Sequence, residues 1–398
     1  MPFCRTKCTY CNFQTGVFPQ GMYAPYVDAV VQEIWEHSAL FAAAGVAKML
    51  GVGAVAREAT NIAKRADALD GEVTVDTVYI GGGTPSMLEP GALARILDAV
   101  RGSFACALEE VTLEADPETI TCEKAEAWRA AGIDRISMGA QSFDDKELSA
   151  AGRLHRREDI FKADEALRAS GIRNISLDLI AGLPHQTAES WRRSVKELLE
   201  LHPEHVSIYM LEIDEGSRLG LEVLAGGARY SAGAIPEDDA IADFYEHGCE
   251  QLAAAGYEHY EISNWARPGL RSRHNLKYWR REPYLGFGAG AHSFDGEMRW
   301  ANAHDPAAYT AALSSGRLPA EQIETLTPQQ SLDEELFLGL RLAEGIRVEE
   351  LEARYNVPLE ARVGGLLQRG LVECCAGRVR LTPGRMAVSN EVFVELIS

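Results

Sequence analysis

Through the first half of the chain, short runs rich in Val, Ile and Tyr alternate with longer segments whose apolar residues recur every three or four positions. The short runs, Thr74–Ile80, 110–114, 135–138, 174–180 and 205–211, are bounded by turn residues and read as strands. Segments 92–100, Cys122–Ala131, 159–170 and 190–201 carry the helical period. Such alternation predicts βαβ crossovers on a parallel sheet, and the repeat of roughly thirty residues suits that motif. Gly82, Glu114, Gln141 and Asp178 sit at or just beyond the carboxyl ends of these strands. Both βα barrels and doubly wound sheets build their sites there, so the pattern places the four residues on one face without choosing between the folds.

Elsewhere the rhythm changes. Residues 42–72 are rich in Ala and read as a helical insertion. The most apolar stretch, 39–56, is mostly Ala and Gly with Lys48 inside it, and falls short of the roughly 20 strongly apolar residues of a membrane span. After about Gly226 the βα alternation fades into a helix at 238–255, a basic stretch at 267–281 and a Gly-rich turn at 286–290. Beyond Pro319 three helices are expected, over 331–343, Val348–Tyr355 and 359–369, then a hairpin pairing 379–383 with 386–388. The chain therefore divides into a βα unit (1–225), a linking region (226–318) and a small helical, winged-helix-like unit (319–398).

Composition narrows the function. Thirty-nine basic against 59 acidic residues leave a net charge of −20, which argues against nucleic-acid binding because a polyanion needs a basic footprint. Acids such as Asp333, Glu334, Glu335 and Glu349 extend that argument to the winged-helix-like unit. The opening Met1-Pro2-Phe3-Cys4 shows no signal-peptide pattern, so a cytoplasmic, reducing compartment is expected.

Eight cysteines are too few for a disulfide scaffold, and three crowd one short stretch as Cys4-x3-Cys8-x2-Cys11. Three thiolates on a loop suit zinc or an iron–sulfur cluster. A structural zinc site usually takes four ligands, and no nearby His or Cys offers the fourth. A cluster held by three thiolates keeps one iron open.

This motif, with Tyr10 before its last cysteine, resembles that of the radical S-adenosylmethionine (SAM) enzymes. Gly81-Gly82-Gly83-Thr84-Pro85 looks like that family's loop for the methionine amino group. The stretches Glu114-Ala115-Asp116-Pro117, Gln141-Ser142-Phe143, Gly152-Arg153-Leu154-His155 and Asp178-Leu179-Ile180-Ala181-Gly182-Leu183-Pro184 resemble segments of the branch containing oxygen-independent coproporphyrinogen III oxidase. The resemblance implies a 4Fe–4S cluster on Cys4, Cys8 and Cys11. It also implies SAM contacts from Gly82, Gly83, Thr84, Glu114, Gln141, Arg153 and Asp178. The expected fold is α/β, a partial (β/α)6 TIM-like barrel with a C-terminal helical unit. Relatives lead into the Pro-Phe-Cys turn with a strand; here Met1 directly precedes Pro2, so that first strand is expected to be missing, which points to a start further upstream.

Two features separate branches. The oxidases carry another cysteine two residues after the triplet, where this chain has Phe13. His274-Asn275-Leu276-Lys277-Tyr278-Trp279 resembles the HNxxYW signature of the haem chaperones of the same branch, within a stretch holding Arg267, Arg271, Arg273, Lys277, Arg280 and Arg281. Haem brings two propionates for such cations and an iron for an imidazole, which makes His274 the candidate ligand. The resemblance implies haem transfer to client haemoproteins, with contact at the membrane surface and a homodimer; decarboxylation of coproporphyrinogen III is the alternative. The segment 286–291 mimics a dinucleotide fingerprint but lacks the flanking strand and helix. By resemblance it belongs, with His292, near the cluster.

Overall fold

The computed structural model of the chain describes residues 1–49 and 74–397. Five parallel strands follow one another across one sheet: β1 (Thr74–Ile80), β2 (Ala105–Ala115), β3 (Arg135–Gln141), β4 (Asn174–Ala181) and β5 (His205–Met210). An antiparallel pair, β6 (Glu258–Glu261) and β7 (Asn264–Ala266), completes the order β1-β2-β3-β4-β5-β7-β6. The sheet curls into an open half barrel. Each strand expected from the pattern is present, whereas the closing pair was not expected, because strands of four and three residues are too short to show a period.

Before and between the strands run α1 (Tyr23–Met49), α2 (Pro90–Ser103), α3 (Cys122–Ala131), α4 (Asp145–Ala150), α5 (Arg157–Ala169) and α6 (Ala188–Glu200). The apolar stretch expected to be helical continues α1 as far as Met49; the rest of the expected insertion, 50–72, lies outside the described residues. Local chemistry sets the helix ends. Thr121 accepts the Lys124 amide at 3.2 Å to start α3, and Gly132 at φ 96° ends it. Thr187 and Ser190 close a reciprocal cap at the start of α6.

The strands alternate in a way that positions the site. One face of the sheet carries Val111, Leu113, Ile136, Met138, Ile175, Leu177, Val206 and Ile208, all at most 2% exposed in the main core. Burial of each contributes about 1.5–3 kcal/mol. The other face carries Thr77 and Tyr79, Thr112 and Glu114, Arg135 and Ser137, Ser176 and Asp178, His205 and Ser207. Parallel strands covered by helices on both sides read as unbroken apolar runs. Here the concave face lines a polar lumen.

Past the barrel come α7 (Arg218–Leu224), α8 (Asp238–Ala254) and α9 (Arg273–Trp279). A three-stranded antiparallel sheet follows, β8 (His292–Phe294), β9 (Met298–Asn302) and β10 (Ala320–Thr325), with α10 (Pro306–Ser314) between its last two strands. The C-terminal unit holds α11 (Pro328–Arg341), α12 (Val348–Tyr355), α13 (Glu360–Gln368) and α14 (Ser389–Ile397) over its own core, with Leu332, Leu336 and Leu340 of α11 at helical spacing inside it. Arg341 joins it to the barrel, its Nη2 2.6 Å from Oε1 of the fully buried Glu261. The expected hairpin is present but displaced: β11 (Val372–Cys375) pairs with β12 (Arg378–Leu381), not 379–383 with 386–388. Ala376 and Gly377, at φ 51° and 75°, form the tight turn, and 383–388 coils into a 3-10 turn after Pro383.

Candidate functional site

The cysteine loop lies at the carboxyl end of the strands, tied down from both sides. The Gly83 amide donates to the Met1 carbonyl at 2.6 Å and the Thr84 amide to Phe3 at 2.7 Å. Thr9 donates its amide to Ala151 at 3.0 Å, and Leu219 donates to Thr9 at 2.8 Å. The first strap explains the glycine triplet. A Cβ on Gly83 would lie 2.5 Å from the Phe3 carbonyl, and Gly82 holds φ at 115°, where its Cβ would meet Met1. Gly81 leaves room for a hydrogen bond that crosses it, from Tyr79 Oη to Glu114 Oε1 at 2.8 Å.

Glu114 and Asp116 then organise the mouth. Glu114 Oε2 accepts the Gly82 amide at 2.8 Å, and burial pushes this carboxyl above its ordinary range. Asp116 accepts from Thr84 Oγ1 at 2.9 Å and pairs with Arg153, whose side chain is only 9% exposed. Arg153 also donates to the Gly139 carbonyl at 2.9 Å and reaches Cys8 Sγ at 3.6 Å. Gly82, Thr84, Glu114, Arg153 and Cys8 thus belong to one connected set. Tyr79 and Asp116 complete it, although the sequence reading had not singled them out. Their signal was the period of two: Tyr79 and Asp116 extend the polar rows of β1 and β2.

Gln141 closes β3 in the left-handed region at φ 64°, a strained backbone for this residue type. The next residue, Ser142, donates to the buried Glu147 at 2.6 Å. Glu147 also accepts from Ser190 Oγ at 2.5 Å and from Gln186 Nε2 at 3.2 Å, and Gln186 accepts the Gly182 amide at 2.5 Å. One buried carboxylate therefore clamps the loops after β3 and β4. Asp178 lies in the lumen near Ser137 and Ser176, each at 3.4 Å, and burial raises its carboxyl to about 6.

Burial also pushes the Cys4 and Cys8 thiols up, while Arg153 pulls Cys8 back. The thiols are near enough to influence one another's ionisation, although no set of three His, Cys, Asp or Glu side chains among the described residues is gathered as a metal group. By donor chemistry they fit an iron–sulfur cluster: three soft ligands on one loop and no fourth.

His274 lies on α9 against β1 and touches this set only through Tyr79 among the contacts described. Its Nδ1 is 3.0 Å from Thr77 Oγ1 and its Nε2 3.0 Å from Tyr278 Oη, and its ring stacks on Tyr79 with centroids 5.1 Å apart. Burial pulls its pKa down to about 4. Beneath it, the buried Glu110 accepts the Arg273 amide at 2.9 Å and the His274 amide at 3.0 Å, so it caps α9. All but one of the basic side chains in this stretch are paired with carboxylates. Arg271 pairs with Glu258, Arg273 with Glu109, Lys277 with Asp76 and Glu282, Arg280 with Glu344, and Arg281 with Glu334. Arg267 stacks over Tyr257 at 4.9 Å. A stretch that reads as a free cationic patch is thus largely neutralised, mostly by acids from other elements.

The Gly-rich segment expected near the cluster packs behind the cysteine loop. Gly288 donates its amide to the buried Glu33 at 2.8 Å and Ala289 to Tyr26 Oη at 2.9 Å, so the segment packs on α1. Its nearest described link to the cysteine loop runs through the Tyr26 ring, which meets Phe3 at 5.0 Å. Asn302 and Tyr309 also donate to Glu33, and burial lifts that carboxyl to about 7. His292 is exposed on β8. These glycines serve close packing: a Cβ on Gly288 would lie 2.7 Å from Tyr26 Oη.

Comparison with known proteins assigns the chain to a family and a fold. A family described as the radical SAM superfamily matches residues 1–198, and the HemN C-terminal domain matches residues 326–384. A Mycobacterium tuberculosis protein named heme chaperone HemW is 35% identical over 399 residues, spanning 100% of this chain and 93% of that one. A Bacillus subtilis protein of the same name is 31% identical over 99% of this chain and 96% of that one. In fold the chain is similar to the Escherichia coli coproporphyrinogen III oxidase (HemN), with a TM-score of 0.78 over 100% of this chain and 88% of that one. At 22% identity that likeness concerns architecture alone.

Proposed function

Because the chain belongs to the radical SAM superfamily, among the proteins named heme chaperone HemW, we propose that it binds haem and hands it to client haemoproteins, carrying a 4Fe–4S cluster and SAM at the open end of its half barrel. The full-length likeness to chaperone-named relatives supports this reading above all else. Clients at the membrane surface, action in the cytoplasm and a homodimer belong to the same proposal. No described helix is long and apolar enough to cross a membrane.

In this reading Cys4, Cys8 and Cys11 hold the cluster, which when bound supplies redox-active iron with one open coordination position. The chain's own groups do the rest. Gly82, Gly83 and Thr84 present backbone atoms close to the cysteine loop, since no side chain of the first two intervenes. Arg153 meets the SAM carboxylate while Asp116 holds its guanidinium in place. Glu114 and Asp178 offer acceptors to ribose hydroxyls or the ammonium, as does Gln141, whose neighbour Ser142 is held by Glu147. Phe13 is 66% exposed where the oxidases have a further thiol, so that position supplies no extra ligand.

Anaerobic reconstitution followed by haem titration and a coproporphyrinogen assay tests the reading. Stoichiometric haem binding without porphyrinogen turnover is the expected result; turnover without stable haem binding would favour the oxidase instead. His274, the ligand suggested by the sequence, can meet iron through Nε2 only by displacing Tyr278. Replacing it by Ala shows whether the haem spectrum depends on it.

A further inference from the structure

Exposed apolar side chains concentrate beside the cysteine loop. Of the twelve large apolar residues most open to solvent among the described residues, Phe13, Leu154, Ile213, Leu221 and Leu224 lie on segments bordering it. These segments are physically joined. Arg218 donates to the Lys7 carbonyl, Lys7 Nζ donates to the Phe13 carbonyl at 3.3 Å, and Arg153 beside Leu154 reaches Cys8. Leu221 and Leu224 follow Arg218 at intervals of three, so α7 turns all three toward one side. Apolar groups left open in this density mark a binding surface.

The charges there differ from those of the α9 stretch. The side chains of Lys7, Arg218 and Arg229 have no carboxylate partner within ion-pair distance among the described residues, although Glu212, Asp214, Glu215 and Glu222 belong to the same segments, Glu222 accepting the Arg229 amide at 3.0 Å and Asp214 the Gly216 amide at 2.5 Å. Arg218 and Arg229 both rest on the Tyr230 ring, each 5.3 Å from its centroid. Tyr230 and Ser231 hold φ at 55° and 57°, strained backbone at a turn the surroundings must enforce. Two guanidiniums on one ring suit two carboxylates carried on one edge of a flat molecule. A continuous anionic bilayer would meet these four acids as well, so the mixed charge favours a bounded ligand over a membrane.

We propose that haem docks on this rim, its plane against Phe13, Ile213, Leu221 and Leu224 and its two propionates on Arg218 and Arg229, rather than on the His274 helix. The placement rests on the haem-binding reading of the protein. It puts the cargo beside the cysteine loop, and it needs no rearrangement of a histidine whose two nitrogens are already engaged.

Haem titration of the anaerobically reconstituted full chain tests it, with iron content and melting temperature recorded for every variant. The pair Leu221→Glu/Leu224→Glu and the single Arg229→Glu each weaken haem binding by about tenfold or more, at unchanged iron content and melting temperature. Metal-free protoporphyrin IX competes for the same site, since it keeps the ring and the propionates. His274→Ala stays close to wild type. Rim variants that fold and bind haem like wild type overturn the placement, as does loss of binding in His274→Ala alone. Rim variants that lose only association with phosphatidylglycerol vesicles, haem affinity being unchanged, assign the rim to a membrane and also overturn it. A wild-type protein that does not bind haem overturns the functional reading together with the placement; haem binding indifferent to the rim overturns the placement alone.

Discussion

The barrel mouth and the α9 stretch are both polar, and both carry motifs that read as sites, yet they are built differently. At α9 every cation but one has a carboxylate partner, the helix start is capped by Glu110, and His274 has both nitrogens bonded. At the mouth, Gln141 holds a left-handed backbone costly for its type, glycines are required by close approach, and Lys7, Arg218 and Arg229 have no carboxylate within ion-pair distance among the described residues. Complete pairing secures a structural element, whereas strain and unspent charge accumulate where a ligand is to be met.

Substitutions can break this contrast. The largest effect is expected from Gly83→Ala, whose Cβ would press on the Phe3 carbonyl 2.5 Å away and displace the strap under Cys4. Destabilisation of about 3 kcal/mol is expected, with most of the reconstituted iron lost. Iron and sulfide analysis reads it, and wild-type loading would refute the strap. Next is Arg153→Met, which leaves Asp116 unpaired in a partly buried site. It should cost about 2–3 kcal/mol and weaken SAM binding by about tenfold; equilibrium dialysis with SAM detects the second effect.

On the α9 side, Glu110→Ala removes the acceptor of two helix-start amides and should cost about 2 kcal/mol in urea unfolding. Cluster content should stay at the wild-type level, and a variant that lost its iron would show that the two regions are not separate. A gentler probe is pH. The folded pKa of His274, about 4, lies below its unfolded value of about 6.5. Protonation therefore favours the unfolded chain, so this contribution is full above about pH 6.5 and fades as pH falls toward 4. His274→Asn should lose less stability than wild type between pH 7 and 5, and equal losses would contradict the burial described. Smallest of all is Arg280→Ala. Its pair with Glu344, 3.6 Å apart with both side chains more than 40% exposed, should be worth no more than about 0.5 kcal/mol.

Much of the mouth was legible along the chain because its signals are local. The cysteine spacing lies within eight residues, Gly81-Gly82-Gly83 follows a strand directly, and Glu114 lies next to the end of β2; Asp178, expected at a strand end, instead sits within β4, three residues before Ala181. Tyr79 and Asp116 escaped notice because only the curled sheet shows that the polar row faces a lumen rather than solvent. The clamp at Glu147 was hidden for another reason: it joins residues 142, 186 and 190 from three separate elements. The antiparallel sheet of β8, β9 and β10 was missed as well, its strands being short and interrupted by α10.

By itself, then, the order of residues determined the βα alternation, the thiol loop and the set of groups at the strand ends, since periodicity and spacing act between near neighbours. The tertiary structure decided which charges are spent. Arg273 finds Glu109 and the His274 amide finds Glu110 across 164 residues. No local pattern encodes such pairings, because they exist only once folding has placed α9 against the sheet. The same folding left the rim cations beside the cysteine loop without carboxylate partners among the described residues. The cations of one contiguous stretch are thereby paired almost throughout, whereas those of three separate rim segments have no carboxylate within ion-pair distance among the described residues.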